Sequence, residues 1–213
     1  MTCLAKDEYV QIDKLKLGLF ETNSYIITCP LTGESALVDA PAEASKILKA
    51  LKGMTLRYIL ITHNHMDHIG ALPELKSRLR VPIGIHSLDA KALPLPHDIL
   101  LGDDEKVVYG NISLKVLHTP GHTPGSLCFL IGKHLISGDT IFPGGPGKTE
   151  SPHDLKQIIE SITRKVIVLP EDTEIYPGHG DPTTVRKEKT ELAIFSSRSH
   201  DPNLFGEVLW LSS

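Results

Sequence analysis

The sequence lacks several features that would place it in a familiar class of proteins. No stretch has the length of uninterrupted apolar residues that a transmembrane helix requires, so we expect no membrane span. The formal net charge is −4 and no basic stripe is present, which argues against a nucleic-acid partner. The first 20 residues carry scattered charges and no apolar signal-peptide core, and we therefore expect a cytoplasmic protein.

Cysteine is scarce, and its spacing excludes two kinds of site. Cys3, Cys29 and Cys128 are far apart, and an odd number without framework spacing indicates reduced thiols rather than a disulfide scaffold. No Cys-x-x-Cys is present, so a zinc finger is excluded. Histidine, by contrast, occurs 11 times, and its placement carries most of the functional information.

Strand and helix patterns alternate along the chain without a linker or a low-complexity segment, and we predict a single domain over residues 1–213. The pattern predicts a buried strand at Leu56–Ile61, a helix at Ile69–Leu79 and a short strand at Val166–Leu169. Hairpin-length links between several strands favour mixed sheets flanked by helices, which is a layered α/β arrangement. The apolar segment Pro202–Trp210 is expected to pack on the domain or across a homodimer contact.

Four side chains of the metal-binding types lie within six positions. His63, His65, Asp67 and His68 follow the predicted strand and precede the predicted helix, which places them on a loop at the end of a strand. Side chains alternate along an extended loop, so His63 and His65 can converge on one point while Asp67 and His68 reach a neighbouring one. Imidazole and carboxylate suit zinc, iron or manganese in a hydrolytic site. The alternative is a polar surface loop that happens to contain histidines.

Three further residues of the ligand type follow, each at a turn or at the end of a strand. His122 lies in the segment TPGHTPG, Asp139 in SGDT and His179 in YPGHG. Glycine and proline on both sides of His122 fix a tight turn that holds the imidazole in place. Because sites in α/β folds are built at strand ends, these three residues extend the pattern that begins at His63.

The series H-x-H-x-D-H, G-H-T, G-D-T and P-G-H-G resembles the metallo-β-lactamase superfamily. It is most similar to the single-domain branch near glyoxalase II (hydroxyacylglutathione hydrolase) and the persulfide dioxygenases, and the resemblance spans about residues 20–185. It implies a four-layer αβ/βα sandwich with two metals at one edge. The resemblance assigns His63, His65 and His122 to the first metal, Asp67, His68 and His179 to the second, and Asp139 to a bridging position.

The resemblance also implies cofactors and a reaction. The cofactors are two divalent metal ions, with zinc as the first choice and iron or manganese as alternatives. Two cations that share a hydroxide lower the pKa of the water and polarise a carbonyl. The implied reaction is therefore attack of a metal-bridging hydroxide on a thioester, ester or lactone in a small-molecule substrate. Asp67 would take the proton of the water or pass it on.

Lys148 is a candidate substrate contact. In glyoxalase II a lysine nine residues after the bridging aspartate contacts the glutathione carboxylate, and Lys148 stands at that distance from Asp139. Two residues later that family carries a tyrosine, where this chain has Glu150, whose charge would repel a carboxylate. Only 34 residues follow His179, so we expect the C-terminal helical domain of glyoxalase II to be absent. These departures disfavour a glutathione thioester and leave Lys148 as a general anion contact or a solvated loop lysine.

Other functions fit parts of the same motif set. A mononuclear iron oxygenase of the persulfide dioxygenase type would use His63, His122 and Asp139 as a facial triad, and all three are present. A true β-lactamase would be exported and would lack an aspartate at the bridging position, and an RNA-processing nuclease would need an inserted domain. An inactive metal-binding scaffold would be expected to have lost a ligand, and none is missing. A lactonase stays open, because its specificity depends on the pocket walls.

Overall fold

The computed structural model describes residues 1–213 and contains two large sheets that face each other. The first sheet has seven strands in the order of the chain, namely β1 (Thr2–Lys6), β2 (Gln11–Leu17), β3 (Thr22–Thr28), β4 (Glu34–Val38), β5 (Thr55–Leu60), β6 (Ile83–Ile85) and β7 (Ile99–Leu100). Strands β1 to β4 pair antiparallel, and β4 to β7 pair parallel. The sheet is therefore mixed, as the linker lengths predict.

The second sheet has six strands, namely β8 (Lys106–Tyr109), β9 (Ile112–His118), β10 (Leu127–Ile131), β11 (His134–Gly138), β14 (Glu174–Pro177) and β15 (Thr183–Thr184). Their order across the sheet is β15-β14-β11-β10-β9-β8, and only β11 and β14 pair parallel. A separate hairpin joins β12 (Ile141–Phe142) and β13 (Gly145–Pro146). This hairpin follows β11 directly and forms part of the wall of the site described below.

Five α-helices flank the sheets, namely α1 (Ala44–Ala50), α2 (Met66–Ile69), α3 (Leu72–Arg78), α4 (Pro152–Ser161) and α5 (Val185–Ser196). The hydroxyl of Ser151 accepts a hydrogen bond from the backbone of Asp154 and caps α4, and Thr184 caps α5 in the same way. A 3₁₀ turn covers Ala90–Ala92, and a π-helical turn extends α4 over Ile162–Val166. No helix combines the length and the apolar character needed to cross a bilayer.

Alternation of side chains along the strands produces three hydrophobic layers. In β3, Tyr25 and Ile27 enter the core between the sheets, while Ile26 joins the layer formed with α1 and α3. In β10, Phe129 enters the central core and Cys128 joins the layer formed with α4 and α5. The order is therefore helices, sheet, sheet, helices, which confirms the four-layer αβ/βα sandwich expected from the sequence.

Two predictions of local structure are wrong. Val166–Leu169 is no strand, because the buried positions of α4 continue through Ile162 and Val166 into the π-helical turn. A short apolar run does not by itself distinguish a strand from the end of a helix. The helix predicted at Ile69–Leu79 is two helices, and the first begins at Met66, so Asp67 and His68 lie on α2 and not on a loop.

The C-terminal segment packs on the domain, as its apolar composition predicts. Val208 and Trp210 are 1% and 0% exposed, and both belong to the layer formed with α4 and α5. The indole Nε1 of Trp210 donates a hydrogen bond of 3.1 Å to Glu188 of α5, a fully buried carboxylate. Glu188 also accepts hydrogen bonds from the backbone of Gly144 in the β12–β13 turn, so it joins three separate parts of the chain.

Candidate metal centre

Strand ends from both sheets meet at one edge of the sandwich, where the seven predicted ligand residues converge. Direct backbone bonds join the sheets there: Leu127 N donates to Thr62 O at 2.8 Å, and Asn23 N donates to Gly178 O at 2.7 Å. The seven side chains come from the segments that follow β5, β9, β11 and β14 and from α2. Six of them form two groups of three, and the seventh, Asp139, forms an overlapping group with His63 and His68. Within each group the atoms lie within 4.8 Å of one another: His63, His65 and His122 in one, and Asp67, His68 and His179 in the other.

Asp139 lies between the two groups. Its carboxylate oxygens are 3.6 Å from His122 Nε2, 3.3 Å from His68 Nε2 and 3.7 Å from His179 Nε2. It therefore reaches both groups, in the position that the sequence resemblance gives to a bridging ligand. Gly178 permits this approach, because a Cβ at that position would overlap Asp139 Oδ1.

The ring nitrogens that point away from the centre are held by backbone carbonyls. His122 Nδ1 donates to Lys148 O at 2.8 Å, and His179 Nδ1 donates to Phe20 O at 3.1 Å. A carbonyl oxygen can only accept, so in both rings Nδ1 carries a proton, and in the neutral form of each ring the lone pair of Nε2 faces the centre. Such partners fix the tautomer and the orientation that a metal-binding histidine needs.

Asp39 orients two further histidines, and sequence reasoning missed it. Its carboxylate accepts hydrogen bonds from Thr62 N and Thr62 Oγ1, both at 2.8 Å, and from His68 Nδ1 at 2.7 Å. The Thr62 hydroxyl donates to Asp39, so its oxygen is left to accept from His63 Nδ1 at 3.0 Å. The only available signal was an acidic residue between an apolar strand and Ala40-Pro41.

Asp89 is a second buried carboxylate that the sequence did not reveal. It accepts hydrogen bonds from Asn64 N at 3.2 Å, from Thr123 Oγ1 at 2.7 Å and from Gly125 N at 2.8 Å. These donors belong to the segment that carries His63 and His65 and to the turn that carries His122. Asp89 therefore ties together the two segments that supply the first group of ligand atoms, although no recognisable motif surrounds it.

Two buried polar atoms at the centre lack a hydrogen-bond partner, as is expected of atoms that bind a metal. His63 Nε2 and Asp139 Oδ1 have no hydrogen bond within the protein. Asp139 Oδ1 lies 3.3 Å from His68 Nε2, but without hydrogen-bond geometry. A buried polar atom without a partner costs about 1–3 kcal/mol, and a bound cation would supply the missing interaction to both. The imidazole and carboxylate donors and the fixed tautomers fit divalent metal ions.

The electrostatics of the centre favour a cation. Burial opposes protonation of His68, but the Asp39 and Asp139 carboxylates outweigh it and raise the pKa of His68 to about 10. Burial alone would raise the pKa of Asp139, yet the charge of His68 above all lowers it. A hydrogen bond with His179 lowers the pKa of Asp67, and burial lowers the pKa of His63 well below its ordinary value. The ionised carboxylates of Asp67 and Asp139 therefore attract positive charge to the centre, as the raised pKa of His68 shows.

The sequence-predicted substrate residue Lys148 lies beside the centre. Its backbone carbonyl holds His122, and its side chain borders a cleft of about 560 Å³ that His122, Asp139 and Glu207 also line. The ammonium group is exposed and lies 3.6 Å from Glu150 Oε1. Lys148 thus lies at the cleft beside the centre, with an acidic neighbour next to it.

Comparison with known proteins gives one family. The model of the metallo-beta-lactamase superfamily matches residues 17–179. Hydroxyacylglutathione hydrolase GloC of Haemophilus influenzae is 32% identical over 188 residues, which cover 78% of this chain and 89% of that protein. Two solved structures are each 30% identical: the BLEG-1 B3 metallo-beta-lactamase (TM-score 0.75, 84% of this chain, 96% of that chain) and TTHA1623 in a di-iron-bound form (TM-score 0.72, 83% and 96%).

Proposed function

Because the chain belongs to the metallo-β-lactamase superfamily, we propose that it is a binuclear metal-dependent hydrolase that cleaves a thioester, an ester or a lactone. The observation that carries the proposal is the convergence of the seven ligand-type residues in two groups on either side of Asp139. The similarity to a hydroxyacylglutathione hydrolase over most of its length supports the same class of reaction.

We assign His63, His65 and His122 to one metal, Asp67, His68 and His179 to the other, and Asp139 to both. When bound, the two ions polarise the scissile carbonyl and lower the pKa of water. Zinc is our first choice for this set of imidazoles and carboxylates. Iron and manganese are the alternatives, and the di-iron-bound form of TTHA1623 supports iron.

Asp67 is the protein group that we assign to proton transfer. Its carboxylate is ionised at neutral pH and lies beside His68 and His179, where it can accept a hydrogen bond and then a proton from the attacking water. The Thr22 hydroxyl donates to Asp67 Oδ2 at 3.4 Å and helps to orient it. The Asp67 carboxylate is partly exposed. The proton that it accepts from water can therefore pass to the thiol or alcohol product, while the hydroxide becomes part of the carboxylic acid product.

Lys148 is our candidate for recognition of the leaving group. Its ammonium borders the cleft beside His122 and Asp139, where it can pair with an anionic group of the substrate. Glu150 lies 3.6 Å away and competes for the same charge. The contact is therefore a general anion contact and not a site built for one carboxylate.

Activity of the metal-loaded protein on a substrate panel tests the proposal. The panel contains a thioester, a lactone and, because of the similarity to BLEG-1, a β-lactam. We expect hydrolysis of a thioester or a lactone that chelation abolishes and added zinc restores. His63→Ala should lose that activity, whereas His97→Ala, an exposed histidine, should keep it. Absence of any chelator-sensitive hydrolysis across the panel would contradict the proposal.

A mononuclear iron oxygenase is the second candidate, because the imidazole and carboxylate donors that a single iron requires are present at the centre. His63, His122 and Asp139 would hold the single iron, and His122 Nε2 and Asp139 Oδ2 lie 3.6 Å apart. The metal that co-purifies with the chain, together with oxygen consumption in the presence of a persulfide, separates the two candidates. One iron per chain with oxygen uptake would favour the oxygenase, and hydrolysis without oxygen uptake favours the hydrolase.

A further inference from the structure

Three large apolar side chains stand exposed beside the centre. Leu19 and Phe20, in the turn between β2 and β3, are 98% and 72% exposed, and Met66, at the start of α2, is 66% exposed. The two segments are distant in sequence, but together with Pro41 they line one concave groove of about 300 Å³. An exposed apolar patch of this kind is typical of a binding site, because leaving it in water is unfavourable.

The groove is continuous with the candidate metal centre. Asp67, a candidate ligand, also lines the groove and directly follows Met66. The turn is fixed to the centre from the other side, because His179 Nδ1 donates to Phe20 O at 3.1 Å. Glu43 Oε2 accepts from Gly18 N at 3.1 Å and holds the turn at its start. A ligand in the groove therefore has one end at the group of Asp67, His68 and His179.

The opposite side of the centre has a different chemistry. The cleft of about 560 Å³ beside His122 and Asp139 is lined by Lys148 and Glu207, which carry opposite charges, as well as by apolar side chains such as Phe142, Val208 and Leu209, whereas the groove contains no positively charged residue. A substrate whose scissile carbonyl lies at the centre can extend one part into the apolar groove, past Asp67, and the other into this charged cleft, past His122 and Asp139. Chemical complementarity assigns the part without ionisable groups to the groove.

We propose that the groove of Leu19, Phe20, Pro41 and Met66 binds the apolar acyl chain of the substrate, and that the charged cleft receives the thiol or alcohol portion. This inference rests on the proposed hydrolase function and names its substrate class, a thioester or ester of an apolar acid. A short polar hydroxyacyl group would leave the groove empty. Hydrolysis adds water across the carbonyl–sulfur or carbonyl–oxygen bond and releases the apolar acid from the groove.

A series of thioesters of one thiol tests the proposal, with acyl chains lengthened from acetyl to octanoyl. The metal-loaded wild-type protein should show kcat/KM rising with chain length, by up to about fourfold for each methylene that the groove buries. The double variant Phe20→Ser/Met66→Ser should flatten this rise, and Phe20→Leu should retain it. Leu31→Ser removes an equally exposed apolar side chain from the β3–β4 turn and should leave the wild-type slope unchanged.

The outcomes separate this inference from the proposed function. Hydrolysis with no dependence on chain length, or a slope that survives in Phe20→Ser/Met66→Ser, overturns the acyl groove and leaves the hydrolase intact. No hydrolysis of any thioester or ester in the series overturns both. A wild-type dimer that the double variant converts to a monomer, with an unchanged slope, would show that the groove is covered by a second copy of the chain and would also overturn the inference.

Discussion

The orientation of single residues at the centre depends on hydrogen-bond partners outside the two groups of ligand atoms. Asp39 accepts from His68 Nδ1 at 2.7 Å and from both the backbone and the hydroxyl of Thr62. Its own backbone has a φ of +60°, a left-handed conformation that among residues with a side chain asparagine and aspartate tolerate best. Replacement by asparagine therefore keeps the backbone and the shape, and changes only what the side chain can accept.

We predict that Asp39→Asn weakens metal binding by about 10- to 100-fold at the group of Asp67, His68 and His179. In either amide orientation the NH2 group would face an N–H donor, that of Thr62 or that of His68, so the hydrogen bonds that fix the His68 ring are disrupted. Isothermal titration calorimetry of the metal-free protein with zinc measures the change in affinity. Asp13→Asn alters another buried aspartate, on β2, and should leave both affinities as in the wild type. Equal affinities in Asp39→Asn and the wild type would contradict the prediction.

The packing of turns against helices fixes the positions of the ligand-type residues. The turn that holds His122 lies against α4, and Gly121 has a φ of +137°. A Cβ at Gly121 would overlap the backbone of Ile158 in α4. Only glycine at position 121 therefore allows the turn to pack this closely against α4, and this packing positions the adjacent His122.

We predict that Gly121→Ala lowers the free energy of unfolding by about 3 kcal/mol and weakens zinc binding at the group that contains His122. Gly132→Ala is the matched control, because Gly132 also has a positive φ but a Cβ there would meet nothing within 4 Å. It should cost about 1 kcal/mol and leave zinc binding unchanged. Urea unfolding and zinc titration of both variants measure the difference. Similar losses in the two variants would show that contact with α4 does not position the turn.

The wall of the charged cleft depends on Glu188 of α5. Burial raises the pKa of Glu188, and the hydrogen bond from Thr183 and the backbone bond from Gly144 only partly offset this. For a carboxyl whose pKa is raised on folding, the stabilisation is fully present below the unfolded-state pKa. It is lost as the pH rises through the folded-state pKa.

We predict that the stability of the metal-free wild type, measured relative to Glu188→Gln, falls as the pH rises from 4 to 8. The amide cannot ionise, so only the wild type loses this contribution. Unfolding free energies in urea at several pH values give the difference. A flat difference for Glu188→Gln would mean that its carboxyl titrates as in the unfolded chain.

At the scale of the whole molecule, local patterns predict a layered α/β arrangement and ligand-type residues at strand ends, whereas the four layers and the division of the ligands between two metals come from the resemblance to the metallo-β-lactamase superfamily. Apolar alternation identifies strands, and polar side chains directly after those strands mark the edge where a site forms. The roles of Asp39 and Asp89 could not be predicted, since their partners lie more than 20 residues away in the chain. The strand predicted at Val166–Leu169 failed because a short apolar run fits the end of a helix equally well.

Each of the two groups of ligand atoms takes residues from both halves of the molecule, so the centre forms only when the two sheets are assembled. The first sheet and α2 supply His63, His65, Asp67 and His68, while the second sheet supplies the remaining three. Neither sheet alone completes either group. Metal binding should therefore stabilise the assembled sandwich against unfolding, by about 4 kcal/mol when free metal exceeds the dissociation constant a thousandfold.

The most direct test of the central claim is a titration of the metal-free chain with zinc, in which bound metal and hydrolysis of a thioester are measured on the same samples. The claim predicts that binding saturates at about two zinc ions per chain and that full activity needs both. In His63→Ala and His68→Ala, each of which removes a ligand from one group, binding should fall to about one ion with activity lost. Full activity at zero or one equivalent of metal, or no specific binding at all, would contradict a two-metal hydrolase.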